Sequence, residues 1–260
     1  SFACRVGVRE SRFRESCLPN STASITFMPQ CALINMNHIL LVGLLLGALS
    51  SSAQNALDAQ GRRTGPWTAK YPNGQVRYEG QFDAGVPVGR FTYYHDNGFR
   101  SAQMDFRGTT GVCLSEQYDE KGKLMARGRF GSDRERDSIW ITYAFDGTKL
   151  EEATYAAGKL HGSYTMFYPN GKLMERGTYD KGVKVGIWTR FRETGAKERV
   201  ANFAAGLLQG TWTEYDEDGR VSVVGTYLND LRHGKWTYFE RGTAVRSEMY
   251  RRGILEKPGT

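Results

Sequence analysis

The 260-residue chain carries 31 glycines and 32 aromatic residues against 7 prolines, with 24% charged residues and a formal net charge of +7. A hydrophobic share of 40% and a mean hydropathy of −0.52 exclude a protein built of many membrane-spanning helices, and the aromatic content excludes wholesale disorder. Abundant glycine and aromatic residues with little proline point to many short strands joined by tight turns.

Residues 1–35 show no sustained periodicity and read as an upstream leader, disordered or absent from the native protein. Residues 36–53 have the layout of a secretory signal peptide: Met36, an apolar run from Ile39 to Leu49, then the small residues Ser51 and Ala53 before Gln54. The run is too short to span a bilayer comfortably, which takes about 20 residues. A cleaved signal is therefore favoured over an uncleaved anchor or a buried segment, and the mature chain is expected to be exported, to the periplasm, outer membrane or exterior, if Met36 is the start. Cys4, Cys17 and Cys31 precede the expected cleavage point, which leaves Cys113 alone and excludes an intrachain disulfide. Without Arg5, Arg9, Arg12, Arg14, Glu10 and Glu15, 31 basic residues face 26 acidic ones. That balance is too mild to require nucleic acid or membrane.

Residues 54–60 read as a linker, 61–253 as one repeat domain and 254–260 as a tail. The period is 24 residues. Gly65, Gly89 and Cys113 mark it, and after one extra residue Ser138, Gly162, Gly186, Gly210 and Gly234 continue it. Two positions past the markers stand Trp67, Phe91, Ser115, Trp140, Tyr164, Trp188, Trp212 and Trp236, so every tryptophan occupies one repeat position. Nine past them come Gly74, Gly98, Gly122, Gly147, Gly171, Gly195 and Gly219.

Asn73-Gly74, Asn97-Gly98, Asn170-Gly171, Asp146-Gly147 and Asp218-Gly219 predict hairpin tips with type I′ turns. Alternation after the tips, as in Val76, Tyr78, Gly80 and Phe82, predicts a strand with these side chains on one face. Small residues recur at Gly80, Gly128, Ala153, Gly177, Ala201 and Gly225, where a ring from an adjacent strand is expected to lie across the backbone. A second loop, such as Asp83-Ala84-Gly85, returns the chain to the next unit. The expected fold is all-β: eight stacked antiparallel hairpins in a single-layer, solenoid-like twisted sheet, on the order of 75 Å across its strands. Around Cys113, Ser115 and the charged run Asp133 to Asp137, a kink or weak packing is expected.

Candidate chemistry is sparse. His161 and His233 share the position before the marker but lie three repeats apart, roughly 29 Å at about 4.8 Å per strand, too far to share an ion. Loop roles are expected for both, and for His95 beside a tip. Cys113 has only Glu116 near it in sequence and occupies a small-residue slot, which favours packing over nucleophilic catalysis. Glu151 and Glu152 are strand neighbours on opposite faces and cannot flank one bond. Arg62-Arg63 and Arg251-Arg252 at the ends of the array are expected to blunt sheet edges, or else to meet an anionic surface. The rings read as a core stripe, and departures from the repeat, at Phe99 to Phe106 and Cys113 to Gln117, are the better candidates for recognition. No catalytic residue, metal site or cofactor is expected.

Tyr78-Glu79-Gly80-Gln81-Phe82-Asp83-Ala84-Gly85 followed by Gly89, with Leu160-His161-Gly162 and Arg232-His233-Gly234, resembles the membrane occupation and recognition nexus (MORN) repeat. The bacterial variant of that repeat, with Gly-x-Trp-x-x-Tyr/Phe, an Asn-Gly tip and a following aromatic strand, is closer, as in Gly162 to Tyr179 and Gly210 to Tyr227. The resemblance implies a stacked-hairpin binding or scaffolding protein, and bacterial members are often labelled antitoxin components. The function expected is a non-enzymatic, exported module that binds or scaffolds protein. A scaffold at an anionic membrane surface or glycan, and an antitoxin-like partner in the cytoplasm, are the alternatives; nucleic acid is not expected.

Overall fold

The computed structural model describes residues 54–256. The leader, the signal segment, Cys4, Cys17, Cys31 and the last four residues of the tail lie outside the described residues. Eight strands form the first half: β1 (Ala56–Leu57), β2 (Arg63–Lys70), β3 (Val76–Asp83), β4 (Val86–Tyr94), β5 (Arg100–Phe106), β6 (Cys113–Tyr118), β7 (Leu124–Phe130) and β8 (Arg136–Tyr143). Then come β9 (Lys149–Ala156), β10 (Lys159–Phe167), β11 (Leu173–Asp180), β12 (Val183–Phe191) and β13 (Lys197–Ala204). The last are β14 (Leu207–Tyr215), β15 (Val221–Leu228), β16 (Leu231–Glu240), β17 (Thr243–Arg251) and β18 (Ile254–Leu255). Each pairs antiparallel with the next in chain order, so β2 to β17 form eight hairpins of one open meander. The all-β hairpin-repeat expectation is met.

The two loop types exchange the roles that the sequence suggests. At the first tip Tyr71 N donates to Gln75 O (2.8 Å) and Gly74 N to Tyr71 O (2.9 Å), which makes a three-residue loop. Gly74 alone takes positive φ (+86°). Asn73 keeps an ordinary backbone because its side-chain oxygen accepts from Gln75 N (3.0 Å). The expected type I′ turn is thus corrected to a type I turn closed by a left-handed glycine. The type I′ signature appears instead at the return loops: Ala84 and Gly85 have φ of 47° and 86°, and Asp83 pairs directly with Val86.

Most marker positions also sit at positive φ, as at Gly89 (+64°), where the ladder slips between Glu79↔Thr92 and Gln81↔Val88. The third repeat omits this slip: β5 and β6 pair continuously from Ala102↔Gln117 to Phe106↔Cys113. Cys113 can replace glycine because no left-handed backbone is needed there, and the β5–β6 ladder runs past it without a bulge. The extra residue of the period lies in the β7–β8 loop, where Gly131 N donates to Glu135 O (2.9 Å) and Arg134 takes φ 65°.

One face of the sheet is a row of interlocked rings. Phe82 meets Phe91 edge-on at 5.1 Å, Phe130 meets Trp140 at 4.8 Å, Tyr179 meets Trp188 at 5.1 Å and Tyr227 meets Trp236 at 5.1 Å. Four of the rings two past a marker lie over a bare residue of the preceding repeat, so a Cβ on Gly80, Gly128, Gly177 or Gly225 would run into Phe91, Trp140, Trp188 or Trp236. In the third repeat the sizes are reversed: Met104 fills the small slot and pairs with Ser115, which replaces the ring. Two departures from the repeat are therefore one compensated exchange.

Candidate functional site

The ring face is closed by its own side chains. Phe91, Trp140, Tyr164, Trp188, Trp212 and Trp236 are buried, and Trp67 packs partly buried against the first cluster. Gly74, Gly98, Gly122, Gly147, Gly171, Gly195 and Gly219 stand at the tips, all with positive φ. Cations roof all five tryptophans: Arg63 over Trp67 (5.0 Å), Arg136 over Trp140 (4.6 Å), Lys184 over Trp188 (3.7 Å), Arg199 over Trp212 (4.7 Å) and Arg232 over Trp236 (4.3 Å). These cations are further tied down, Arg136 to Tyr155 Oη (3.3 Å) and Lys184 to Glu175 (3.6 Å). Tyr164 donates to Glu151 (2.9 Å), and burial first, then that carboxylate, holds its phenol far above the usual range.

The residues considered for chemistry do not converge. His161 Nδ1 lies 3.1 Å from Asp180, and His233 sits six strands further along the sheet. His95 Nε2 donates to the carbonyl of Tyr118 in the next tip (3.1 Å). Glu151 meets Tyr164 on the ring face while Glu152 meets Lys149 (2.9 Å). Asp133 caps Glu135 N (3.0 Å), and Asp137 pairs with Arg129. Among the described residues no group of three His, Cys, Asp or Glu could hold a metal ion. Arg62 pairs with Asp58 (2.8 Å), Arg63 roofs Trp67 and Arg251 pairs with Glu256 (2.8 Å). The first edge is instead closed by β1 and by the Asn55 side chain, which accepts from Thr68 N (2.8 Å) and donates to Thr68 O (3.0 Å).

Cys113 is 3% exposed, and burial pushes its thiol up from the usual value. A thiol reagent should therefore leave Cys113 unmodified in the folded chain and react only as urea unfolds it; rapid native labelling would contradict this packing.

The opposite face stays open and has its own order. A second aromatic series lies five past the markers: Tyr94, Tyr118, Tyr143, Phe167, Phe191, Tyr215 and Phe239. Five members carry a cation from the preceding repeat: Arg100 on Tyr118, Arg127 on Tyr143, Lys149 on Phe167, Arg176 on Phe191 and Lys197 on Tyr215. Ring positions were legible, but the cations alternate between two repeat positions and escape a single-column comparison. The tips brace this series. Tyr71 Oη donates to Tyr94 O, Tyr168 Oη to Phe191 O and Arg192 Nη2 to Tyr215 O, at 2.7–2.8 Å. Asn73 and Asn97 reach the next tip in the same way, donating to Asp96 O (3.0 Å) and Glu120 O (2.9 Å). A shallow depression of about 180 Å³ lies among Arg192, Glu198, Arg199, Glu214 and Tyr215, with charges of both signs; Arg199 and Glu214 belong to the ring face, where both contact Trp212. Of the recognition candidates, Phe99 and Leu114 are exposed, while Cys113 and Ser115 are buried.

The family described as MORN repeat variant matches residues 63–84, 160–181 and 208–229. These segments are the hairpins β2–β3, β10–β11 and β14–β15, and each begins two residues before its marker glycine. No curated protein matches the chain. MORN repeats are generally protein- or membrane-binding modules and are typically non-enzymatic. Three matches in phase with the period, on a sheet made of repeated hairpins, support a MORN-type repeat protein.

Proposed function

We propose that the chain is a non-enzymatic, exported protein-binding scaffold that recognises its partner on the open face. The observation that carries this reading is the contrast between faces. The ring face spends its aromatic residues on internal packing, whereas the open face presents Leu114, Ile139 and Ile187 to solvent beside regularly placed cations. Export rests on the apolar run from Ile39 to Leu49 and the small residues that follow it. Exposed apolar side chains on a sheet face, interspersed with charge, suit a protein surface.

Site-specific photo-crosslinking in the producing cell tests this. A crosslinker at Ile187, which is 63% exposed, should give a discrete, saturable protein adduct in the exported fraction, and one at Leu207 beside a return loop should not. Equal yields from the two sites, or no protein adduct from Ile187, would overturn the reading; an adduct confined to the cytoplasm would overturn export and restore the antitoxin-like alternative.

A further inference from the structure

The five cation-bearing rings of the open face form a line. Tyr118, Tyr143, Phe167, Phe191 and Tyr215 occupy one repeat position, so neighbours are two strands apart, about 10 Å. The cations lie 5.5, 5.8, 4.7, 5.7 and 6.0 Å from the ring centres. The series is bounded at its start, where Tyr94 donates to Glu79 (2.5 Å) in place of meeting a cation. Carboxylates also share the face: Glu116, which accepts from Tyr118 Oη (2.6 Å), and Glu152, which pairs with Lys149, lie within the line, while Asp105 and Asp137 beside it are paired with Arg90 and Arg129. Arg100 donates to Gln103 Oε1 (3.3 Å). The side chains of Arg127, Arg176 and Lys197 meet their rings with no side-chain hydrogen bond or ion pair among the described residues. Positive charge therefore exceeds negative along the line, and it is held on rings that the tip ladder fixes.

Resting on the protein-binding reading above, we propose that this line is a docking track for an acidic peptide in polyproline II conformation with a carboxylate at every third residue. A polyproline II helix has three residues per turn and about 9.3 Å per turn, so such carboxylates fall on one side, nearly in step with the cations. Competing shapes lose register. A β-strand repeats a face about every 6.8 Å. An α-helix with acids seven apart advances about 10.5 Å and slips by roughly 4 Å over four intervals against about 9.6 Å for two strands. A stiff polyproline segment also gives up little conformational freedom on docking.

The test is fluorescence anisotropy of the full chain with a labelled (Glu-Pro-Pro)5 peptide, against a block isomer of five Glu followed by ten Pro. The spaced peptide should bind at least tenfold more tightly than the block isomer. Arg127→Gln and Arg176→Gln should each weaken it two- to fourfold, Arg252→Gln should leave it unchanged, and replacing Arg100, Arg127, Lys149, Arg176 and Lys197 together by Gln should abolish it. Equal binding of both isomers, or no effect of either single variant, would overturn the track. So would tighter binding of polyphosphate or anionic phospholipid vesicles at the same residues, which would reassign the line to phosphate. If the quintuple variant keeps the Ile187 adduct, the track is overturned while the protein-binding reading stands.

Discussion

Truncating Trp188 to alanine should lower stability by about 3–5 kcal/mol, the range for a large buried ring. Its side chain is 2% exposed and sits between Tyr179, at 5.1 Å, and Phe203, at 6.1 Å, beneath Lys184. Among the described residues Trp188 Nε1 has no hydrogen-bond partner, so the loss is one of packing and of the cation contact. The ring also covers Gly177, and a single-layer sheet has no second layer that could collapse into the gap. Urea unfolding followed by circular dichroism measures the effect; a loss below about 1 kcal/mol would show that the ring row is not the core.

The same geometry gives a contrast within that series. Gly177→Met alone drives a side chain into Trp188 and should be strongly destabilising, whereas Gly177→Met combined with Trp188→Ser should recover part of the loss. The arrangement already exists once in the chain, as Met104 opposite Ser115. Failure of the double variant to recover any stability would mean that exchange works only where the β5–β6 ladder is continuous.

Legibility in the sequence follows how local each cause is. A bare backbone under a ring needs a small residue every period, so Gly80, Gly177 and Gly225 announced the ring face and the hairpin count. Turn type was misassigned because Asn-Gly fits two geometries, and what decides between them is whether the Asn73 side chain is used to hold its own loop. The exchange of Met104 and Ser115 looked like a defect because its halves lie in different repeats, joined only by the register of β5 and β6. Edge closure by Asn55 was invisible for a similar reason: it depends on one amide reaching Thr68. The cation line was hidden because two columns alternate in supplying it, and only the folded register brings both columns onto one series of rings.

Stability should hold at neutral pH and fall once the pH exceeds about 10, the ordinary tyrosine value. Burial raises the phenols of Tyr164, Tyr179, Tyr118, Tyr168 and Tyr238, with nearby carboxylates adding to the effect, and at Tyr94 the hydrogen bond to Glu79 is the main cause. An acid whose folded value is raised stays neutral in the sheet after its unfolded counterpart has ionised. Below about pH 10 both states keep the proton and the contribution is complete; above it the unfolded chain gains by losing protons, and stability falls until the folded phenols ionise. The urea midpoint should therefore be flat from neutral pH to about 9 and decline steeply beyond 10, with phenolate absorbance rising together with unfolding. Tyr164→Phe removes the most shifted phenol and should make that decline shallower, whatever it costs at neutral pH. A midpoint that survives through pH 11, or identical slopes for the two proteins, would show that these hydroxyls are not held neutral by the folded sheet.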